Sequence, residues 1–198
     1  MKTVLLQSSR LVSVVLFMLY GMSMFAQRQD ILLNNDWNFR FSHQVQKGTE
    51  VRVDLPHTWN AQDALSGKID YKRGIGNYEK NLFIRPEWKG KRLFISFQGA
   101  ESGIALWLNG QFVGYSEDSF TPSEFELTDY VKEGENKLAA QVFKWTASSW
   151  CEDQDFYRFS GIYREVYLYT VPDVHVYDLQ IRAIPDASLK KARFEVKT

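Results

Sequence analysis

The sequence predicts an all-β fold, an antiparallel β-sandwich or jelly roll, and three observations carry that expectation. After Gln27 the chain is a succession of short alternating or apolar runs with no helical period. Turn signals built from Gly, Asn, Pro and Asp recur roughly every ten residues, as in sandwiches. Aromatic residues make up 15% of the chain, and large rings fill the space between two packed sheets.

The elements follow in order. Residues 92–97 alternate, with Leu93, Ile95 and Phe97 on one face, and Ile104, Leu106 and Leu108 repeat the pattern. Asn109-Gly110 is the dipeptide that best tolerates the two positive φ angles of a type I′ turn, so a tight hairpin is expected there. Phe125 and Leu127 begin another strand, residues 132–136 form a charged turn, and Leu138, Ala140 and Val142 continue the alternation. Residues 163–169 form a strand rich in Val and Tyr, which Pro172-Asp173 ends. Lys72-Arg73-Gly74-Ile75-Gly76 has too few glycines for a phosphate loop and is expected to be a turn. Residues 174–183 open a strand of a second unit, and residues 173–198 are too few for a self-standing domain.

Composition narrows the function classes. Twenty-four basic residues balance 24 acidic ones, so no long-range field gathers nucleic acid or an anionic membrane. The single cysteine, Cys151, cannot form an intrachain disulfide and lacks the neighbours of a zinc site; it is expected to be a half-buried filler. Residues 1–26 have a basic start at Lys2 and Arg10, an apolar run over residues 11–26, and the small residue Ala26 before polar Gln27. That run falls short of the roughly 20 residues that span a bilayer. The expectation is a cleaved signal peptide, with export to the periplasm or the extracellular space and no stable membrane anchor.

Three segments carry a family resemblance. They are Val53-Asp54-Leu55-Pro56-His57-Thr58-Trp59-Asn60, then Leu106-Trp107-Leu108-Asn109-Gly110 followed by Val113-Gly114 and Phe125-Glu126-Leu127, and lastly the stretch 152–166, which opens Glu152-Asp153-Gln154-Asp155 and continues through Arg158, Ser160-Gly161-Ile162 and Arg164-Glu165. Together they resemble the N-terminal sugar-binding domain of family 2 glycoside hydrolases, and the third is most similar to β-galactosidases. The resemblance implies a galactose-binding-like jelly roll over residues 27–172 and, over residues 173–198, the first strand of an incomplete immunoglobulin-like domain. It implies that the jelly roll lends loops to a (β/α)₈ barrel that follows in the same enzyme and carries the two catalytic glutamates, so no residue of this chain is expected to be catalytic.

The same resemblance assigns Asp155 as a contact to galactose hydroxyls and a ligand of a bound sodium ion, with a divalent cation in the barrel. A carboxylate suits both tasks because it offers only acceptors. The family's second contact, an Asn, falls by position on Arg73, where this sequence departs from the pattern; Asn77 is nearby, and the loop 73–77 is expected at the pocket rim. Trp150, beside the acidic segment, is a candidate pocket wall, whereas most of Trp59, Trp107, Trp145 and Trp150 are expected in the core. Arg158 and Arg164 are expected to orient the acidic segment by gripping carboxylates, and His57 to be a hydrogen-bonded structural residue. The expected ligand is a terminal β-galactoside, with a β-glucuronidase part or a free carbohydrate-binding module as alternatives.

Overall fold

The computed structural model describes residues 28–43, 46–61, 74–152 and 158–198. The expected signal peptide lies outside them. Two compact units are present, Arg28–Thr170 and, among the described residues, Val171–Thr198.

Among the described residues the strands are β1 (Gln29–Leu32), β2 (Trp37–His43), β3 (Gln46–Lys47), β4 (Val51–Val53), β5 (His57–Thr58), β6 (Gly74–Ile84), β7 (Lys91–Phe97), β8 (Ala100–Glu101), β9 (Gly103–Leu108), β10 (Gln111–Ser116), β11 (Ser123–Glu126), β12 (Gly134–Phe143), β13 (Gly161–Ile162) and β14 (Val166–Pro172), with β15 (Gln180–Pro185) and β16 (Ala192–Lys197) in the second unit. A four-stranded sheet runs β1-β14-β7-β11, a larger one runs β10-β9-β12-β6-β2-β3 with β4 on β2, and a small one runs β5-β13-β8. The strands pair antiparallel, as the alternating runs predict.

One core lies between the two large sheets. Leu93, Ile95, Phe97, Val166 and Leu168 face it from one side, and Tyr78, Leu106, Leu108, Leu138, Ala140 and Val142 from the other. Trp37 is fully buried, meets Tyr78 edge-on at 6.3 Å, and satisfies its indole N–H on the Leu33 carbonyl at 2.5 Å. Each such ring contributes about 2–3 kcal/mol by leaving water. The hairpin at Asn109 and Gly110 forms as expected, with φ of 52° and 81° and Gln111 opposite Leu108.

The sequence 74–76 is not a turn. Gly74 and Gly76 open β6, and aromatic rings of neighbouring segments occupy the space their side chains would need. A Cβ on Gly74 would stand 2.2 Å from the Phe41 ring, and one on Gly76 would stand 2.3 Å from the Trp59 ring. Here glycine marks close approach within a strand rather than a reversal.

In the second unit β15 and β16 form a hairpin, Gln180 opposite Lys197 through Pro185 opposite Ala192. Asp186 closes its turn by accepting the Ser188 N–H and hydroxyl.

Candidate functional site

The described residues that flank the acidic motif are tied by hydrogen bonds to segments distant in sequence. Glu152, its first residue, accepts the Ser119 N–H at 2.9 Å and the Ser119 hydroxyl at 2.6 Å. Beyond Asp155, the Asn60 amide donates to the Arg158 carbonyl at 2.8 Å and accepts the Ser160 N–H at 2.7 Å. Trp59 N–H adds a bond to the Ser160 carbonyl. β13 then inserts between β5 and β8, pairing Gly161 with both Thr58 and Glu101.

Gly161 is dictated by this insertion. Its φ is 140°, and a Cβ would lie 2.3 Å from the His57 carbonyl oxygen and 2.9 Å from the Tyr78 hydroxyl. That hydroxyl also meets His57 Nδ1 at 2.9 Å. Burial holds His57 below its ordinary value, and the ring is a hydrogen-bonded residue of the scaffold, as expected.

Two described carboxylates, Glu152 and Glu101, belong to this cluster. Glu152 is engaged through both oxygens by Ser119. Glu101 is buried, and burial pushes it up to about 7 against the opposing pull of Arg158 and Lys144 and a bond from the Phe159 N–H.

Arg158 and Arg164 both donate to backbone carbonyls of neighbouring loops. Arg158 donates to Ser149 at 2.6 Å and lies 5.2 Å over the Trp145 ring, and Arg164 donates to Phe120 at 2.9 Å and Gln98 at 3.3 Å. The Tyr163 hydroxyl bonds the Ser119 carbonyl. A bidentate arginine–carboxylate pair joins Arg92 to Glu126.

Asp155 and Arg73 lie outside the described residues. Asn77 sits within β6 rather than in a loop, and its amide is used inside the sheet: it donates to the Arg40 carbonyl and the Ser42 hydroxyl and accepts from Gln141. Trp150 ends a 3-10 turn, Ser148–Trp150, and is 86% exposed. Of the four tryptophans singled out, only Trp59 packs on the core; Trp145 is 39% exposed, while Trp37 and Trp88 are the buried ones. Cys151, on the same turn as Trp150, is exposed rather than half-buried. An outward turn of polar Thr146 and Ser148 thus presents Trp150 and Cys151 to solvent.

Asn60 and Glu101 carry much of this geometry and were not singled out by sequence. Asn60 ends the first of the three segments, where its side chain has no local partner to betray it. Glu101 leaves one clue, a carboxylate within the otherwise apolar run 100–108.

Residues 25–172 match the pattern described as "Glycosyl hydrolases family 2, sugar binding domain". The chain is 56% identical over 155 residues to a β-glucuronidase of Bacteroides fragilis, covering 76% of this chain and 22% of that protein. To a β-galactosidase of Clostridium acetobutylicum it is 53% identical over 147 residues, 73% of this chain and 16% of the relative. The chain therefore spans about a fifth of the length of these relatives. Among solved structures, the Bacteroides uniformis β-glucuronidase superposes with a TM-score of 0.74 at 28% identity, over 86% of this chain and 22% of that one. An FMN-binding β-glucuronidase from Facaelibacterium prausnitzii gives 0.73 at 30% identity, over 87% and 28%. With the antiparallel sandwich in place and residues 25–172 matched, the chain belongs to glycosyl hydrolase family 2 and carries the family's sugar binding domain.

Proposed function

We propose that this chain is the N-terminal, substrate-contacting part of an exported β-galactosidase that hydrolyses terminal β-galactosides. Asp155 accepts hydrogen bonds from sugar hydroxyls, and its carboxylate oxygen is a suitable ligand for sodium. Arg73 and Trp150 border the same pocket, Trp150 by offering an open indole face. The catalytic glutamates, and a divalent cation beside them, belong to a following barrel of the same enzyme.

The observation that carries this reading is that the described residues on either side of the acidic motif are both fixed, Glu152 on Ser119 and Arg158 with Ser160 on Asn60. Fixing both flanks of a short binding segment lowers the entropy that ligand binding must cost. β-Glucuronides are the second reading, favoured by the Bacteroides fragilis relative's name.

The test uses nitrophenyl β-galactoside and nitrophenyl β-glucuronide. The 198-residue chain should hydrolyse neither, and the polypeptide joining it to a family 2 barrel should prefer the galactoside. Turnover by the chain alone would overturn the assignment of catalysis to the barrel, and preference for the glucuronide would overturn the substrate.

A further inference from the structure

At the end of β6, a half-open cleft of about 260 Å³ lies between the 3-10 turn Pro86–Trp88, the start of β7 and the loop after β11. Its rim carries Arg85, Lys89, Lys91 and Lys132 against one carboxylate, Glu133. The chain as a whole has no net charge, so this is a local concentration of cations. Glu87 reaches Arg85 at 3.7 Å, but both side chains are 57% exposed, and such pairs neutralise little. Among the described residues no ion pair engages Lys89, Lys91 or Lys132.

The floor is apolar, made by Trp88, Leu93 and Val131. Trp88 is buried to 6% with Arg85 stacked 5.6 Å above its ring, so it is a floor and not the open aromatic platform on which nucleic-acid bases stack. A cationic rim focuses negative charge into a low-dielectric recess. Val131 is the partly exposed member of this floor, and its apolar face suits the C–H side of a pyranose ring. The volume is just under the roughly 300–1,000 Å³ of sites that enclose whole drug-sized ligands, which fits one sugar ring and its substituents.

We propose that this cleft binds a single acidic sugar residue, bearing carboxylate or sulfate, of an oligosaccharide. It would hold anionic glycans by a residue other than the one cleaved, independently of Asp155.

The experiment is an amide-resolved NMR titration of the 198-residue chain with a uronate trisaccharide, a sulfated trisaccharide, a neutral galactose trisaccharide and inorganic sulfate. Saturable shifts at Lys89, Gly90, Lys91 and Lys132 are expected with one or both acidic sugars, and the two arms tell carboxylate from sulfate. Raising salt to about 0.5 M should weaken binding severalfold. The double substitution Lys89→Ala with Lys132→Ala, both at exposed positions, should weaken it at least about tenfold. Asp155→Asn should leave it unchanged, which separates failure here from failure of the galactoside reading. No saturable shifts with either acidic sugar, equal binding of the neutral trisaccharide, or sulfate ion alone binding as tightly as the sugars would overturn the proposal.

Discussion

Asn60 and Ser160 stand 100 positions apart in the chain, yet the Asn60 Oδ1 accepts the Ser160 N–H at 2.7 Å while its Nδ2 donates to the Arg158 carbonyl two residues earlier. One side-chain amide thereby fixes the exit of the acidic segment onto the scaffold. Both of its partners are backbone groups.

Asn60→Ala should therefore cost about 2 kcal/mol, the penalty for leaving buried backbone groups unsatisfied. For a domain of this size that lowers Tm by roughly 4–8 °C. Calorimetry of the two proteins measures it, and coincident melting curves would contradict the clamp.

Gly161→Ala should be worse. The added Cβ meets the His57 carbonyl at 2.3 Å in a conformation, φ 140°, that L residues rarely adopt, so strain and displacement of β13 together should cost at least about 3 kcal/mol. Chemical denaturation reads this as a lower midpoint with an unchanged slope. A midpoint equal to that of the parent would show that β13 is not wedged between β5 and β8.

Glu101 gives the fold a pH dependence. Burial raises its folded value to about 7 from an ordinary 4.5, so between those limits the folded state holds a proton that the unfolded state has released. Stability attributable to this group then falls as pH rises through that window. Glu101→Gln, which keeps the shape and removes the ionisation, should be more stable than the parent at about pH 8, and the advantage should disappear near pH 4.5. An advantage that is the same at both ends of the window would contradict the assignment.

Glu152→Ala removes two charge-assisted bonds from Ser119, each worth about 1.5–3 kcal/mol. The Ser119 amide loses its acceptor, and its hydrogen exchange should quicken at least about tenfold. Unchanged protection would mean that the Tyr163 bond to the Ser119 carbonyl suffices to hold that loop.

Much of the fold was legible because local chemistry and global position agree. Asn109-Gly110 needs no partner to specify a type I′ turn, and Leu138, Ala140 and Val142 face the core because a strand has period two. Gly74 and Gly76 misled because glycine signals a reversal and a close approach alike, and only the distant Phe41 and Trp59 rings decide between them. The tryptophans misled for a related reason. Burial of an indole depends on what lies opposite, so Trp88 after Pro86 is floor while Trp150 after two serines is surface. The candidate site was legible as a motif but not as a mechanism of support: Asn60, Ser119 and Glu101 act on residues 33 to 100 positions away or through burial, and no local pattern records such pairings.

The most direct measurement compares kcat/KM for nitrophenyl β-galactoside between parent and Asp155→Asn in the polypeptide that joins these residues to a family 2 barrel. A drop of at least about 100-fold, or roughly 2.7 kcal/mol, with an unchanged melting temperature is the predicted result. Equal kcat/KM values would mean that the sugar is held without this carboxylate.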